Sequence, residues 1–279
     1  MRQHGPGLVT VMLLGFAFLY GPILSLIVYS FNASDLVSVW AGFSTKWYGE
    51  LLRDEQILDA AFLSLRIAVV AASIAVVGGT MAGMALARYG RFRGRTFLTA
   101  LVTGPLVMPD VIIGISLLLM FVTLQEGIGL PQGRGANTIV IAHATFCMAY
   151  VTVIVQSRFA GLDRAVEEAA LDLGARPAKV FWTVTLPMIA PALVAGWLLS
   201  FTLSLDDLVI ASFVSGPGAS TLPMVVFSKV RLGVSPMINA LATIIVAFVT
   251  IAVAMAGLLM HRAEVRRQAA MQVALRGEG

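Results

Sequence analysis

The stretch Glu168-Ala169-Ala170-Leu171-Asp172-Leu173-Gly174, followed by Leu186-Pro187, is a polar interruption between long apolar segments of this 279-residue chain. Alanines at two successive positions would let another backbone or a groove approach closely, and Glu168 offers a negative charge to a basic partner. A solvated amphipathic loop would explain the same local features. To choose between these interpretations, the apolar segments on both sides of the stretch must be considered.

The local residue types predict two short helices that meet at a bend. Asp163 suits the N-cap of the first helix, and Gly174 suits its C-terminal stop. Pro177 suits the first turn of a second short helix that runs toward Val184. Glu167 and Glu168 would lie near the positive end of the first helix.

The composition is that of a membrane protein. Hydrophobic residues make up 58% of the chain and charged residues 12%, with a mean hydropathy of +0.90. This leaves too little polar surface for a soluble globule of this length. Six continuous apolar stretches reach the roughly 20 residues that cross a bilayer as a helix. They span residues 8–30, 58–87, 97–124, 138–156, 188–213 and 237–260.

These stretches predict one all-α, polytopic domain over residues 1–279, with six transmembrane helices. The runs are continuous and do not alternate as the strands of a barrel do. The first stretch is too long for a signal peptide and has no small-x-small cleavage site after it, so we expect it to be retained as a span.

Lysine and arginine are distributed unevenly around the spans. One side holds Arg2, Arg88, Arg91, Arg93, Arg95, Arg158, Arg164, Arg176, Lys179, Arg262, Arg266, Arg267 and Arg276. The other side holds only Lys46, Arg53, Arg66, Arg134, Lys229 and Arg231. The positive-inside rule therefore predicts cytoplasmic termini and a cytoplasmic loop over residues 158–187. External loops are expected at residues 31–57, 125–137 and 214–236.

Other features limit the chemistry. Trp40, Trp47 and Tyr48 fall in the first external loop, where they suit an interfacial aromatic belt or a partner surface. The single Cys147 lies inside a span, so we expect neither a disulfide framework nor a metal cluster. The chain lacks a Gly-x4-Gly-Lys-Ser/Thr loop, so we expect no bound cofactor and no ATP hydrolysis by this chain.

The spacing of the opening stretch resembles the EAA motif of the permease subunits of bacterial ABC importers. Val184 stands where that family usually has isoleucine. The resemblance implies a type I ABC importer permease fold and a coupling helix that docks into a cleft of the ATP-binding subunit. It implies this coupling role for Glu168, Ala169, Ala170, Gly174, Leu186 and Pro187.

Further segments resemble the polyamine branch of this family, and within it the putrescine importers. They are Tyr29-Ser30-Phe31-Asn32, Trp40-Ala41-Gly42-Phe43-Ser44 with Trp47-Tyr48, Pro105 with Pro109-Asp110-Val111-Ile112, and Ser204-Leu205-Asp206-Asp207-Leu208-Val209-Ile210 through Ser215-Gly216-Pro217-Gly218. Spermidine-type relatives often carry glutamate where this chain has Asp110, which leaves the exact polyamine open.

The resemblance also implies the partners and the location. It implies a homologous permease subunit, two ATP-binding subunits that hold ATP and magnesium, and a periplasmic polyamine-binding protein. The location would be the bacterial inner membrane. The alternative within this family is a permease for another small cationic or organic solute.

Two adjacent carboxylates inside a span need an explanation, since each costs roughly 2.5 to 3.5 kcal/mol at the bilayer centre. Counting 1.5 Å per residue from Met188 puts Asp207 about 28 Å along the helix, near the external mouth. On a straight helix two neighbouring polar stripes result, formed by Ser200, Ser204 and Asp207 and by Thr202 and Asp206. Carboxylates and hydroxyls could replace part of the hydration of a dicationic diamine. Alternatively, the aspartates cap a helix end or pair with Lys229 or Arg231.

Weaker candidates lie on other spans. Pro105 and Pro109 predict a kink before Asp110, which suits either a pathway lining or a purely structural bend. Arg66 is expected to snorkel or to pair with Asp59. Small residues at a spacing of four on the second span predict either the bundle interior or a subunit contact; they are Ala75, Gly79, Gly83 and Ala87. The segment 216–218 is turn-rich and suits a re-entrant element or a contact with a delivery protein.

Two other function classes are less consistent with the chain. An intramembrane serine protease would use Ser116 and His143, but a lone histidine on an apolar helix is better explained as a packing residue. A secondary transporter would show two repeated halves, which the sequence lacks. We therefore expect a transport subunit with no catalytic residues.

Overall fold

The computed structural model describes residues 6–37, 39–233, 235–251 and 255. Within these ranges the chain is helical, apart from loops and an isolated antiparallel bridge between Asn32 and Phe43. Several residues of the predictions lie outside the described ranges, namely Arg2, Arg262, Arg266, Arg267, Arg276 and most of residues 252–260.

The helices follow the apolar stretches closely. They are α1 (Pro6–Tyr29), α2 (Lys46–Leu51), α3 (Glu55–Arg88), α4 (Arg95–Val107), α5 (Asp110–Ile128), α6 (Ala136–Ala160), α7 (Ala165–Asp172), α8 (Pro177–Val180), α9 (Leu186–Leu205), α10 (Val209–Val214), α11 (Leu222–Leu232) and α12 (Pro236–Ile251). Within the described ranges, five segments are long and apolar enough to span a membrane: α1, α3, α5, α6 and the continuous Pro177–Leu205. The helix α12 covers the described part of the sixth stretch.

The chain divides into two compact units, residues 1–55 with 229–279 and residues 56–228. In the first unit, Asn32 organises the loop after α1. Its side-chain amide donates to the Val39 carbonyl at 2.6 Å and accepts from Ala41 N at 2.9 Å, while Trp47 Nε1 donates to the Asn32 carbonyl at 2.7 Å. Trp47 is only 6% exposed. It therefore folds the loop onto itself instead of forming part of an exposed belt.

In the second unit, the small residues of α3 pack against α6. A Cβ placed on Gly79 would lie 2.6 Å from Val151 Cβ, and one on Gly83 would lie 2.9 Å from the Thr152 carbonyl oxygen. Glycine is therefore required for this approach of the two helices. Of the two readings of this stripe, the structure shows the bundle interior.

The third apolar stretch forms two helices instead of one. Met108 is extended, with ψ 139°, and separates α4 from α5. A proline disfavours helical geometry in the residue before it, which explains a break at Met108-Pro109. Pro105 lies inside α4 without ending it.

The fifth stretch differs from its prediction at both ends. The helix that begins at Pro177 does not stop near Val184; it continues through a π-helical segment, Phe181–Thr185, into α9. A widened turn just before Pro187 fits the lack of a donor N–H on that residue. At the other end α9 stops at Leu205, and three residues separate it from α10. The prediction of two short helices was right for α7 and wrong for the second.

Candidate translocation site and coupling loop

The antiparallel pairing of α6 and α9 fixes the level of the two aspartates within the second unit. From one end to the other, Arg158 donates to the Met188 carbonyl, Cys147 Sγ lies 3.5 Å from the Ser200 carbonyl, and His143 meets Ser204. His143 is seven residues inside the start of α6 at Ala136, which is about 10 Å at 1.5 Å per residue.

The helix is therefore interrupted at Asp206 and Asp207, at a level about two turns from the N-terminal end of α6. From this level α10 continues to the N-terminal end of α6, where the Val214 carbonyl accepts a hydrogen bond from the Thr138 hydroxyl at 2.7 Å. The sequence estimate for Asp207 assumed one continuous helix, whereas α9 ends at Leu205 and Asp207 follows it in the break. Its position near the external mouth stays a prediction.

His143 forms the centre of a buried polar cluster at this break. Its Nδ1 lies 2.7 Å from Ser204 Oγ, and its Nε2 lies 3.1 Å from Asp207 Oδ2. The side chains of His143 and Asp207 are 2% and 11% exposed. Because both ring nitrogens are engaged, His143 is the packing histidine that the sequence favoured, although its partners were not foreseen.

The carboxylate of Asp207 also holds the start of α10. Its oxygens accept the backbone N–H of Ile210 at 3.3 Å and that of Ala211 at 2.7 Å. An acidic side chain at this position satisfies N–H groups that have no partner within the helix. Lys229, an alternative partner considered from the sequence, instead bonds Asp54 at 2.7 Å in the other unit.

Asp206 has a different environment. Its backbone N–H donates to the Thr202 carbonyl at the end of α9, and both Asp206 and Thr202 are exposed. Among the described residues the Asp206 carboxylate forms no ion pair and no hydrogen bond to another residue. The two stripes predicted for this helix thus have different surroundings. Ser200 and Ser204 are buried toward α6, and Thr202 and Asp206 face outward.

The helix that begins after the other break, at Met108 and Pro109, is α5, and it packs against α10. A Cβ on Gly114 would lie 2.6 Å from Phe213 Cδ2 and 3.4 Å from Ile210 Cα. Asp110, the first residue of α5, is exposed and lies one turn before Gly114. Two interrupted helices, each with an aspartate at its break, therefore pack on each other in the second unit.

The cluster of Ser204, His143 and Asp207 has the connectivity of a hydrolase triad, but its surroundings do not suit catalysis. Ser204 is 5% exposed and lies between α6 and α9. Ser116, the nucleophile considered from the sequence, is exposed, and His143 is engaged elsewhere. Across the described ranges, no three His, Cys, Asp or Glu side chains come together as a metal-binding group.

At the other end of α6, the predicted coupling loop contains α7 and the start of the helix that runs from Pro177 to Leu205. Gly174 has φ 85°, and its N–H donates to the Leu171 carbonyl while Ala175 N–H donates to the Ala170 carbonyl. These two bonds form a Schellman C-cap, which needs glycine at this position. The expected C-terminal stop of the first helix is confirmed.

The residues of the EAA motif lie on different surfaces of this loop. Glu168, Ala169 and Gly174 are exposed, and Leu173 is 89% exposed. Leu186 and Pro187 lie in the first turn of α9. The side chain that bonds α7 to the rest of the unit is Glu167, for which the sequence predicted only a position near the start of the helix. It bonds Arg88 and Thr185.

The structure also describes three further features considered from the sequence: the pair Arg66 and Asp59, the turn-rich segment 216–218, and Cys147. Arg66 and Asp59 form no ion pair with each other in the described structure. In the turn-rich segment, a Cβ on Gly216 would clash with the Arg134 carbonyl oxygen, so Gly216 permits close packing against the segment just before α6. Cys147 is a buried free thiol.

The helical membrane domain and its family match define a membrane subunit of an ABC importer, and this subunit is not an enzyme. The chain belongs to the family of binding-protein-dependent transport system inner membrane components, whose model matches residues 79–269. It is accordingly a multi-pass inner-membrane protein.

Curated relatives match most of the chain. The putrescine transport system permease protein PotI of Escherichia coli (strain K12) is 60% identical over 274 residues, which is 98% of both chains. The spermidine/putrescine transport system permease protein PotC of the same organism is 45% identical and covers 82% of this chain and 84% of its own length.

Two solved structures share the fold. The chain resembles a subunit of a bacterial ABC transporter involved in the import of alginate, with a TM-score of 0.68 at 19% identity and coverage of 90% of this chain and 94% of the other. It also resembles a chain of the MetNI methionine ABC transporter, with a TM-score of 0.59 at 16% identity and coverage of 79% and 99%. These likenesses support the type I permease fold.

Proposed function

We propose that this chain is a membrane subunit of a putrescine importer and that the break between α9 and α10 forms part of the path for the cation. The observation that supports this most directly is the exposed Asp206 carboxylate at a helix break, well inside the end of α6. The identity with a putrescine permease makes the diamine the preferred substrate.

The chemistry of the break suits an alkyl diamine. An ammonium group that leaves water needs a negative charge and hydrogen-bond acceptors in exchange. Asp206 and Thr202 supply these on one exposed stripe, and Asp110 supplies a second carboxylate on the neighbouring broken helix. Ser200 and Ser204 lie on the opposite, buried side of α9. Asp207 fixes the geometry of the break through His143 and α10.

Discontinuous helices near the substrate path recur in transporters, because the free helix ends offer partial charges and unpaired backbone groups. In this chain the exposed carboxylates supply the attraction for a cation. A cationic substrate also fits the absence of a basic residue at either break, since residues 108–110 and 206–208 contain none.

The remaining parts of the proposed machine are separate proteins. They are a homologous permease, two ATP-binding subunits with ATP and magnesium, and a periplasmic binding protein that delivers the polyamine. Both termini and residues 158–187 face the cytoplasm in this proposal, as the distribution of basic residues predicts. Glu168, Ala169, Ala170 and Gly174 then contact an ATP-binding subunit.

Alternating access follows from the continuous helix. When the ATP-binding subunits close, they displace α7 and with it the helix that runs from Pro177 to Leu205. Because Asp206 caps the far end of that helix, a movement at the coupling loop reaches the break directly.

Uptake of radiolabelled putrescine into a strain lacking this subunit tests the function. The gene for this chain should restore uptake, and an excess of unlabelled putrescine should compete better than spermidine or lysine. If an uncharged or anionic solute competes best, the alternative of a permease for another organic solute is correct. Cross-linking of Ala170→Cys to the ATP-binding subunit tests the coupling role, and its failure would refute that assignment.

A further inference from the structure

Two side chains from different helices donate hydrogen bonds to one carboxylate oxygen of α7. Arg88 at the C-terminal end of α3 donates from Nη2 to Glu167 Oε1 at 3.0 Å. Thr185, at the end of the π-helical segment, donates its hydroxyl to the same oxygen at 2.8 Å. Glu167 lies in the first turn of α7. One carboxylate thus joins α3, α7 and the helix that leads into α9.

The contact is sheltered from solvent. The side chains of Arg88 and Glu167 are 14% and 21% exposed, and Thr185 is 5% exposed. The Arg88 guanidinium also lies over the Phe159 ring at the end of α6, 5.2 Å from its centroid. A charge-assisted hydrogen bond in such a setting is stronger and less screened by salt than an ion pair on an open surface.

Glu167 differs from the other side chains of α7 in its surroundings. The other side chains of α7 are exposed, apart from the half-buried Ala170. Among the described residues, Glu167 is the α7 side chain that hydrogen-bonds to other helices. α7 also packs against α8 and the π-helical segment Phe181–Thr185. The Glu167 carboxylate adds a direct bond from α7 to Arg88 at the end of α3.

We propose that Arg88, Glu167 and Thr185 form a clamp that makes α7 move together with α3 and with the long helix that ends at the aspartate break. Arg88 and Thr185 are positioning residues in this proposal: they do not touch the substrate, and they transmit the displacement of the coupling helix. The clamp rests on the proposed docking of α7 on an ATP-binding subunit, and it adds α3 to the elements that move.

The test uses the complete importer in proteoliposomes with its binding protein. Putrescine uptake and ATP hydrolysis are measured in the same vesicles. Arg88→Gln removes the charge and should lower the putrescine imported per ATP roughly tenfold, since a sheltered charge-assisted bond is lost. Thr185→Val keeps the shape of the side chain and should lower the ratio less. Exchanging the charges, with Arg88→Glu and Glu167→Arg together, should recover part of the ratio.

Arg93→Gln is the matched control. Arg93 is exposed on the segment between α3 and α4, five residues after Arg88, and makes no hydrogen bond or ion pair with described residues, so its replacement should leave the ratio unchanged. Unchanged uptake per ATP in both Arg88→Gln and Thr185→Val would overturn the clamp. If Arg88→Gln does not assemble, Arg88→Lys and Thr185→Val decide the question by the same ratio.

A cross-link separates this proposal from the one beneath it. Ala170→Cys should cross-link to the ATP-binding subunit in the otherwise unaltered complex and also in the Arg88→Gln complex, because the clamp acts after docking. Loss of the cross-link in the unaltered complex would refute the docking itself. A retained cross-link with a wild-type uptake ratio in both clamp variants would refute only the clamp.

Discussion

At the scale of single residues, Asp206 and Asp207 are adjacent in the chain but have different partners. The carboxylate of Asp207 accepts two backbone N–H groups and meets His143, so its bonding capacity is largely used. The carboxylate of Asp206 is exposed at the end of α9. A cation that moves along the break would therefore meet Asp206 while Asp207 keeps the break in shape.

This difference predicts different effects for the two isosteric substitutions. Asp206→Asn should lower putrescine uptake about tenfold, the effect expected when one charged hydrogen bond to the substrate is lost, with no change in assembly. Asp207→Asn should lower both uptake and the melting temperature of the purified complex. Uptake assays and thermal melts in detergent distinguish the two. Normal uptake by Asp206→Asn would remove that residue from the pathway.

His143 offers a second test at this scale. In His143→Leu, the Ser204 hydroxyl and one face of the Asp207 carboxylate would be buried without a partner, which costs about 2 kcal/mol. The melting temperature of the complex should fall, and His143→Gln should fall less because an amide still donates. A His143→Leu complex that melts like the wild type would show that the cluster does not stabilise the break.

At the scale of helices, the close packing of α3 on α6 depends on the absence of side chains. Gly83→Ala would place a Cβ 2.9 Å from the Thr152 carbonyl oxygen, so the two helices would have to separate. We expect a lower melting temperature and a reduced yield of assembled importer. Gly15→Ala in α1 is the control, because nothing lies within 4 Å of that position. There alanine should be neutral or stabilising, since it favours a helix over glycine. Equal effects at both positions would contradict the packing argument.

The same elements show what a sequence can predict. The spans were predictable because apolar runs of this length are rare outside membranes, and Gly174 was predictable because a helix stop needs a left-handed residue. The end of α9 was not predictable. Leu205 to Leu208 contain no proline or glycine, and the side chain that meets Asp207 at the break, His143, is 64 positions away.

The candidate site was predictable to a similar degree. Charge inside an apolar stretch pointed to Asp206 and Asp207, but only tertiary contacts distinguish a carboxylate that is held from one that is exposed. Glu167 was harder still. Its neighbours Glu168 and Ala169 carry the family motif, whereas its partners Arg88 and Thr185 come from sequence positions that no local spacing connects.

At the scale of the whole molecule, the direction in which the chain crosses the membrane is the remaining requirement of the proposed cycle. The coupling loop must face the ATP-binding subunits, and the loop after α1 must face the binding protein. Two exposed apolar residues mark these loops, Leu173 at 89% and Phe43 at 74%. The native Cys147 is fully buried and will not react, so single added cysteines can report each side.

Phe43→Cys should therefore react with a membrane-impermeant maleimide in intact spheroplasts, because the positive-inside rule places its loop outside. Leu173→Cys should react only after the membrane is permeabilised. The unsubstituted chain is the control and should stay unlabelled in both preparations. The opposite pattern would place the motif of residues 168–174 outside, where no ATP-binding subunit could reach it, and the coupling proposal would fail together with the predicted orientation.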